Sequence, residues 1–297
     1  MIVATGATGR TGRTATEALL AKGEKVRVVG RDAKRLAPFV ELGAEPFVGN
    51  VEDVDSMTEA FNGASAVYLV LPEDITQQDL RAHQERVSDS YATAITNAHV
   101  RFVVNLSSIG AQHAQNTGPI VGLHNQEQKL NRVADLNVLH LRAAYFMENL
   151  FLSITPLRST GTLPGGLRAD AAMPWIATKD IGQYAASRLA ARDFSNSSVQ
   201  ELHGQRDISM REAASIVGSA IGKPNLAYVH VPSTVLGQAI IEMGLPKKTA
   251  ELLIEMWDGA NAGLIAPQEV RSAENTTPTR LESFVSEVFA PAYLQTA

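Results

Sequence analysis

The first twelve residues read MIVATGATGRTG, from position 1 to position 12. The apolar start of this stretch predicts a β-strand, and the residues that follow it have the apolar spacing of an amphipathic helix. The three glycines therefore lie in a turn between a strand and a helix. In such a turn Gly6 permits a sharp change of direction, Gly9 lets a pyrophosphate approach the backbone, and Gly12 lets the helix pack close to the strand. The stretch predicts a dinucleotide-binding turn.

Phosphate groups are held at such a turn by free N–H groups at the start of the helix. The predicted cofactor contacts in the turn are Gly6, Thr8, Gly9, Arg10, Thr11 and Gly12. A Walker-type phosphate loop is disfavoured because no Gly-Lys-Ser/Thr sequence follows. The remaining alternative is an ordinary strand–helix turn that binds nothing.

Strand-like and helix-like runs alternate through the first half of the chain. Predicted strands cover residues 1–5, 25–30, 45–48, 66–71, 101–106 and 138–142, and predicted helices cover 11–22, 32–42, 54–61, 79–97 and 125–135. Strands that are joined by helices pair in parallel, with right-handed crossovers. We therefore predict an α/β fold with a Rossmann-type, doubly wound parallel sheet.

After residue 150 the pattern changes. Residues 158–168 are rich in Gly, Thr and Pro, which predicts turns and a hairpin. Thr178 is a predicted N-cap, and Ser209-x-x-Glu212 has the spacing of a capping box. We predict a dinucleotide-binding Rossmann domain over residues 1–150, with 178–204 packing back onto it. The remainder of 151–297 is predicted to form a smaller, mostly helical domain on the substrate side.

Composition narrows the classes of function. The 297 residues carry a formal net charge of −5 and include no cysteine. A nucleic-acid partner would need clustered cations, and a thiolate metal site would need cysteines. There is no His-Glu-x-x-His pattern and no apolar run long enough for a membrane span, and the first residues do not predict a signal peptide. We expect a cytoplasmic protein without metal that acts on a small electrophilic molecule rather than on a nucleic acid or a membrane; a homodimer is left open.

The end of the second predicted strand indicates which dinucleotide binds. An acidic residue there would bind the ribose 2′-hydroxyl of NAD, whereas an arginine would accommodate the 2′-phosphate of NADP. Arg31 comes first after the strand, and Lys34 and Arg35 follow closely. Asp32 favours NAD unless it serves as the N-cap of the next helix, and the two later cations can equally belong to a solvated helix face. The pattern favours NADP, with NADPH preferred over NADH.

Taken together, several segments resemble the NmrA-like branch of the atypical short-chain dehydrogenase/reductase family. These segments are Gly-Ala-Thr-Gly-x-x-Gly at 6–12, Gly49-Asn50-Val51 with Asp53 and Ser56, Asn105–Ser108, Leu141-Arg142 with Tyr145–Asn149, Trp175–Ile181, and Glu201–Gly222. Asn50 and Ala143 depart from the aspartate and proline that are usual in the family. The resemblance implies a substrate cleft between a Rossmann domain and a small C-terminal domain. It covers NADPH-dependent quinone reductases, triphenylmethane dye reductases, isoflavone-reductase-like enzymes and NADP-sensing regulators.

Further site residues are predicted along this pattern. The additional cofactor contacts are Asn50, Val51, Leu69, Val70, Ser107, Lys129, Tyr145 and Phe146. The predicted substrate pocket contains Ser108, Phe146, Asn149 and Trp175, with Met243 and Trp257 as lid candidates. For the aromatic residues and methionines, simple core packing is the alternative. His83 and His113 are expected at the surface, without a role.

The catalytic tyrosine of typical short-chain dehydrogenases is absent, because position 125, four residues before Lys129, is an asparagine. His124 and Lys129 instead have a spacing that resembles the quinone-reductase members. On one helix these two residues would lie about 140° apart, so they converge only if His124 precedes the helix. The predicted catalytic residues are His124, Lys129 and Tyr145, with a capping or surface role as the alternative for His124 and a solvated helix position for Lys129.

The leading hypothesis is an oxidoreductase that transfers a hydride from NADPH to a quinone, a dye or another small conjugated carbonyl. The alternative is a non-catalytic NADP(H) sensor that signals through a protein partner, which the absent tyrosine also allows. A nucleotide-sugar epimerase or reductase is the weaker third option, since it would need Tyr-x-x-x-Lys.

Overall fold

The computed structural model of the protein describes residues 1–295. The strands are β1 (Ile2–Ala4), β2 (Val26–Gly30), β3 (Glu45–Val48), β4 (Ala66–Val70), β5 (Phe102–Ser108), β6 (Asn137–Ala143), β7 (Tyr145–Phe146), β8 (Leu163–Gly165), β9 (Ala172–Ile176), β10 (Ser197–Leu202), β11 (Asp207–Ser209) and β12 (Tyr228–His230). The α-helices are α1 (Arg10–Ala21), α2 (Ala33–Glu41), α3 (Val54–Phe61), α4 (Leu80–Asn97), α5 (Ile120–Leu130), α6 (Ile154–Thr160), α7 (Thr178–Ala191), α8 (Met210–Ala220), α9 (Ser233–Glu242), α10 (Lys247–Asn261), α11 (Leu281–Phe284) and α12 (Ala290–Gln295). A 3-10 helix covers Met147–Ser153, and a π-helical turn covers Val285–Phe289.

The main sheet has seven parallel strands in the order β3-β2-β1-β4-β5-β6-β10. From β1 the chain continues through β2 to β3 at one edge of the sheet. It then returns to the other side of β1 with β4, and continues through β5 and β6 toward the other edge. The predicted doubly wound α/β fold is confirmed. In such sheets ligands bind outside the carboxyl ends of the strands, at the point where the strand order reverses. Here that point lies between β1 and β4.

Helices cover both faces of this sheet, which is why its strands are apolar on both sides. On one face α1, α2 and α7 pack through side chains such as Leu19, Phe39 and Ile181. On the other face α3, α4 and α5 pack through side chains such as Met57, Val87 and Leu130. These two layers hold the carboxyl ends of the strands, and thus the site, in fixed positions.

The helices α1 and α7 cross at very close range. A Cβ at Gly182 would lie 2.6 Å from the carbonyl oxygen of Thr11 and 2.7 Å from Cβ of Thr14. Only a glycine fits at this crossing without moving a helix. As a result α7 braces the first turn of α1, and β10 after it joins the main sheet beside β6.

The smaller unit has its own core. Strands β11, β9 and β7 form one sheet, β12 and β8 form another, and helices α8, α11 and the π-helical turn pack on them. The predicted hairpin over 158–168 is wrong, because β8 pairs in parallel with β12, a distant strand. None of the helices within residues 1–295 is long and apolar enough to cross a membrane.

Two predicted helix starts also need correction. Thr178 is the first residue of α7 rather than its N-cap, and the carboxylate of Glu148 accepts both its backbone N–H and its hydroxyl. Helix α5 begins at Ile120, five residues before the predicted start at 125. The predicted cap at Ser209 is confirmed, since its hydroxyl accepts the N–H of Glu212.

Candidate functional site

The glycine turn leads directly into an uncapped helix. The first bond of α1 runs from the N–H of Arg13 to the carbonyl of Gly9, and no side chain caps the helix start. The N–H groups of the first three helical residues therefore precede the hydrogen-bond ladder of α1. Such groups, together with the helix dipole, favour an anion at this position. The turn has the geometry of a phosphate site.

Two of the glycines are required by the turn itself. Gly6 has a φ of +63°, which favours glycine, and a Cβ there would lie 2.9 Å from Cβ of Val70. A Cβ at Gly12 would collide with the carbonyl of Gly6. Gly9 and Arg10 are exposed, whereas Thr11 is buried. The turn is thus open to solvent at Gly9 and Arg10.

The end of β4 forms the neighbouring wall of the site. The hydroxyl of Thr5 donates to the carbonyl of Tyr68 and accepts the N–H of Val70, which ties β4 to the strand before the turn. Val70 is half-buried beside Gly6. Leu69 is completely buried in the core, so its side chain does not reach the site.

The predicted cations are unpaired at the end of β2. One carboxylate oxygen of Asp32 accepts the N–H of Lys34 at 2.8 Å and caps α2. Arg31, Lys34 and Arg35 are exposed, and within residues 1–295 none of them forms an ion pair. Asp32 is therefore engaged as a cap; Arg31 precedes α2, and Lys34 and Arg35 lie exposed in its first turn.

The loop after β3 lies beyond these cations. The side chain of Asn50 accepts the N–H of Glu52, and Val51 is half-buried. Glu52 in turn bonds to His83 at 2.8 Å and to Arg86 at 2.5 Å on α4. The loop is thereby fastened to α4. His83 is almost completely buried, so the prediction that it lies at the surface is wrong.

A buried ionic network lies at the end of β5. The hydroxyl of Ser107 donates to Glu127 on α5 at 2.6 Å, and Arg142 on β6 donates two hydrogen bonds to the same carboxylate, at 2.7 and 3.0 Å. Ser108 bonds to the carbonyl of Ile109. The carboxylate of Glu127 therefore fixes the hydroxyl of Ser107, and Arg142 fixes that carboxylate through two hydrogen bonds, a bidentate arrangement with a defined geometry.

The side chains of His124 and Lys129 do not converge. His124 lies within α5 rather than before it, and its Nδ1 bonds to the carbonyl of Ala111 at 2.8 Å. Lys129 points to α4, where Glu85 and Asp89 hold its ammonium group at 2.7 and 2.6 Å. The prediction that His124 precedes the helix is wrong, and with it the condition for a paired role.

The carboxylates that hold Lys129 also shift its pKa. Burial lowers the pKa of Lys129, but the hydrogen bonds to Asp89 and Glu85 outweigh it, so that the pKa is raised overall. His124 is different. A carbonyl can only accept, so Nδ1 of His124 carries the proton of the neutral ring, and Nε2 has no partner within residues 1–295.

The predicted aromatic residues Tyr145 and Trp175 belong to the core of the smaller unit. Tyr145 packs edge-on against Trp175, with ring centroids 4.7 Å apart. Burial raises the pKa of Tyr145 to about 12, although a hydrogen bond with Asn149 opposes this shift. Trp175 is completely buried, and its indole N–H donates to the carbonyl of Ile208. Trp175 is thus a core residue rather than part of a substrate pocket.

The remaining candidates differ in accessibility. Phe146 and Asn149 are half-buried and follow β6 at the carboxyl edge of the sheet. Trp257 is half-buried, and its ring lies against the backbone of Gly166. Met243 is 72% exposed at the end of α9. Phe146 and Asn149, like Ser108 at the end of β5, therefore lie at the edge of the sheet where the predicted pocket requires them, whereas Trp257 and Met243 are not placed there.

Three residues of this region are not among the sequence predictions. Glu127 and Arg142 form the buried pair under Ser107. Glu73 follows β4 and has no hydrogen-bond or ion-pair partner within residues 1–295. No spacing in the sequence marks the pair, because its members are joined across α5 and β6. The sequence feature that could have drawn attention to Glu73 is the loop between β4 and α4, which contains three acidic residues.

A doubly wound sheet with a glycine turn and a helical second unit defines a class of nucleotide-binding proteins. The chain belongs to the NmrA-like family, whose model matches residues 1–285. Among curated proteins none matches the sequence.

Solved structures with the same fold have differing activities. A nucleoside-diphosphate-sugar epimerase from Staphylococcus aureus is 19% identical with a TM-score of 0.82, over 96% of this chain and 99% of its own. The NADPH-dependent quinone oxidoreductase of Escherichia coli, complexed with NADPH, is 21% identical with a TM-score of 0.81, over 97% and 100%. NmrA, a negative transcriptional regulator in complex with NADP, is 17% identical with a TM-score of 0.74, over 100% and 97%. At these identities the likeness shows the fold alone.

Proposed function

We propose that this protein is an oxidoreductase that uses NADPH to reduce a quinone, a dye or another small conjugated carbonyl. The observation that carries the proposal is the pairing of an uncapped α1 with an unpaired Arg31. The open N–H groups at the start of α1 suit a pyrophosphate, and the guanidinium of Arg31 suits a 2′-phosphate. The use of Asp32 as a helix cap supports NADP over NAD.

The residues present fit such a cofactor along its whole length. The N–H groups of α1 would hold the pyrophosphate, Arg31 the 2′-phosphate, and the loop at Asn50 and Val51 the adenine end. The nicotinamide end would lie toward Val70, Ser107 and Phe146, which end or follow β4, β5 and β6 beside the switch point. Bound NADPH supplies the hydride. The protein then contributes position, since a reaction between two bound partners depends on their alignment.

The substrate side is supported by the residues that end or follow β5 and β6 at the same carboxyl edge of the sheet. Ser108, Phe146 and Asn149 combine one aromatic ring with polar groups at the carboxyl ends of β5 and β6. This suits a flat conjugated acceptor that carries an oxygen. The roles predicted for Lys129 and Trp175 are not kept, because the first is held by two carboxylates and the second is enclosed in the core.

The test is direct. Purified protein is mixed with NADPH or NADH and with a panel of quinones, triphenylmethane dyes and α,β-unsaturated ketones, and the loss of reduced-nicotinamide absorbance is followed. We expect turnover with at least one acceptor, and faster turnover with NADPH than with NADH. Binding of NADPH without oxidation by any acceptor would contradict the enzymatic proposal. Light scattering of the same preparation decides whether the protein is a homodimer.

A non-catalytic NADP(H) sensor is the second candidate, and a specific observation favours it. Within residues 1–295 no Tyr-x-x-x-Lys pair faces the strand ends, and Lys129 is bound to α4. A sensor must bind the oxidised and reduced cofactors with different affinities, since equal affinities shift no equilibrium. Calorimetric titration with NADP⁺ and with NADPH, followed by capture of a protein partner in one redox state only, would support this reading.

A further inference from the structure

Helix α10 spans the gap between the two units at the carboxyl edge of the main sheet. At its start Lys248 bonds to Asp79 at 2.6 Å, in the loop between β4 and α4. One turn later the carbonyl of Leu252 lies so close to Gly118 that a Cβ at this glycine would collide with it. Gly118 belongs to the loop that follows β5. One flank of α10 therefore rests on the loops at the ends of β4 and β5.

The opposite flank of α10 contacts the smaller unit. The ring of Trp257 lies against Gly166, where a Cβ would approach Cγ of the ring to 2.8 Å. The side-chain amide of Asn261 donates to the carbonyl of the same glycine at 2.8 Å. Gly166 directly follows β8. Because both flanks are in contact, the side of α10 between them borders the space that separates the two units.

This side of the helix is apolar and only half-buried. Successive residues of a helix are about 100° apart, so Leu253, Met256 and Ala260 share one side of α10, the inner face. The opposite side is charged and exposed to solvent, at Lys247, Glu251 and Asp258. An apolar face that is turned away from solvent is normally packed against a core. The half-buried inner face therefore borders a cleft.

The segment after α10 places this cleft at the ends of β5 and β6. The side chain of Ile265 lies 3.3 Å from a Cβ built at Gly110, two residues after β5. Gln268 accepts a hydrogen bond from Arg142 near the end of β6 at 3.4 Å. Its backbone N–H donates to Glu201 near the end of β10 at 3.0 Å. The C-terminal end of α10 is thereby tied to the edge of the sheet that carries the proposed acceptor site.

The inner face offers apolar contact without charge. Leu253, Met256 and Ala260 have no ionisable group and no side-chain hydrogen-bond donor. Thr249 lies on the same side, but its hydroxyl donates to the carbonyl of Gln77 at 3.4 Å. A charged group placed against this face would lose its hydration without gaining a partner.

The two walls of the cleft thus differ in polarity. The strand ends contribute the hydroxyl of Ser108 and the amide of Asn149, whereas α10 contributes aliphatic side chains. Such a site suits a flat molecule whose oxygen faces the sheet and whose rings pack on the helix. A second copy of the chain does not suit it, because the contacts at Gly118 and Gly166 close both flanks of the inner face.

We propose that the inner face of α10 determines acceptor specificity and selects uncharged ring systems over anionic ones. This inference rests on the proposed oxidoreductase function, because only that function requires an acceptor. It assigns Leu253 and Met256 as specificity residues that contact the rings of the acceptor and take no part in hydride transfer. Acceptors with phosphate or sulfonate groups are excluded, since the inner face has no cation to replace their hydration.

The test measures binding of two acceptors to protein that is saturated with NADP⁺, which supplies no hydride. The probes are 1,4-naphthoquinone and 1,4-naphthoquinone-2-sulfonate, which have the same rings and differ by one negative charge. We expect wild type to bind the uncharged quinone about tenfold more tightly. In Leu253→Lys the ratio of the two Kd values should shift about tenfold toward the sulfonate, the scale of one hydrogen bond to a charged group. Isothermal titration calorimetry measures both Kd values.

Two further variants separate the inner face from general effects. Gln238→Lys adds the same charge at an exposed position of α9 and should leave the ratio unchanged. Met256→Ala removes apolar contact without adding charge and should weaken the uncharged quinone about fivefold, the scale of one to two methylene groups. All three variants should bind NADPH with wild-type affinity, which shows that they are folded. If Leu253→Lys fails this check, Met256→Ala decides the test.

Each contrary result has its own meaning. Equal Kd values of the two quinones in wild type contradict the inference, as does an equal shift in Leu253→Lys and Gln238→Lys. Unchanged quinone binding in Met256→Ala contradicts it as well. A dimer that Leu253→Lys turns into a monomer, with an unchanged Kd ratio, would mean that a second copy covers the inner face. Selective binding without NADPH oxidation by any acceptor contradicts the proposed function, whereas turnover without selectivity contradicts only the role of α10.

Discussion

Arg31 is the side chain that most directly reports which dinucleotide the protein prefers. It is exposed, it forms no ion pair within residues 1–295, and it follows β2 at the edge where a ribose would lie. We expect Arg31→Ala to weaken NADPH binding roughly tenfold, the usual scale for one hydrogen bond to a charged group. NADH binding should not change, because NADH lacks the 2′-phosphate. Fluorescence titration measures both affinities.

The control for this variant is Arg132→Ala. Arg132 is another exposed arginine without an ion pair, and it lies just after α5, at the opposite edge of the sheet. Its loss removes one positive charge from the molecule without touching the predicted ribose site. Equal weakening of NADPH binding in both variants would mean that net charge, and not a specific contact, governs affinity.

Glu127 is the second residue with a sharp expectation. Its carboxylate is buried with Arg142 and Ser107, so removing it leaves a buried guanidinium without its partner. Breaking a buried pair in this way costs about 3–5 kcal/mol of unfolding free energy. We expect Glu127→Ala to show a loss of that size in urea unfolding. Glu17→Ala breaks the exposed pair with Arg13 and should cost no more than about 1 kcal/mol.

At the scale of elements, the crossing of α1 and α7 makes a prediction about the glycine turn. The Cβ of Gly182→Ala would press on Thr11 and Thr14. Such overpacking costs about 1–3 kcal/mol and outweighs the helix propensity gained, about 1 kcal/mol. We expect lower stability together with weaker NADPH binding, since α1 must move. The neighbouring exposed variant Gln183→Ala should change neither quantity.

A polar layer joins β5, β6 and α5 and makes stability depend on pH. Gln126 donates to Asn105, Asn105 donates to Nδ1 of His140, and Nε2 of His140 donates to Asn131. Because Nδ1 already accepts a hydrogen bond, a proton there would break the chain of bonds. Burial is the main cause that lowers the pKa of His140 to about 4.

The sign of the effect follows from this pKa. Above pH 6.5 His140 is neutral in both states and contributes nothing. Between that pH and about 4 the unfolded chain binds a proton that the native protein does not, so stability falls as pH falls, by about 3 kcal/mol in total. Urea midpoints across this range should drop more steeply for wild type than for His140→Gln. Parallel curves for the two proteins would exclude His140 as the cause.

The start of α5 shows where prediction from sequence ended. The strands, the glycine turn and the cap at Ser209 were predictable because their signals are local. Ile120, Val121 and Gly122 are poor helix formers and no side chain caps them, yet tertiary packing buries all three and makes them helical. That shift placed His124 inside α5 and removed its predicted partnership with Lys129.

The same contrast holds for the site. Arg31 and the turn residues precede or follow strands directly, so their positions could be predicted from the sequence. The network of Ser107, Glu127 and Arg142 joins β5, α5 and β6, and its register is fixed only by packing. Glu73 differs from the other acids of its loop only by having no partner, which no sequence pattern can show.

For the whole molecule, cofactor binding should be visible as stability. A ligand that binds only the native state raises the unfolding free energy by about 2.7 kcal/mol at a hundred times its Kd. We expect NADPH to raise the thermal midpoint more than NADH does at equal concentration. Scanning fluorimetry with the two cofactors measures this. A midpoint that neither cofactor moves would contradict a dinucleotide site.

The main sheet is completed late by β10, and this has a consequence for how the chain is made. Strand β6 ends at Ala143, and its outer neighbour is not synthesised until Ser197–Leu202. During translation the edge of β6 therefore stays open while part of the smaller unit emerges, and an open edge is a template for aggregation. A fragment cut after residue 150 would keep that exposed edge permanently. The half of the chain that forms most of the main sheet should accordingly depend on chaperones, or on the second half, to become soluble.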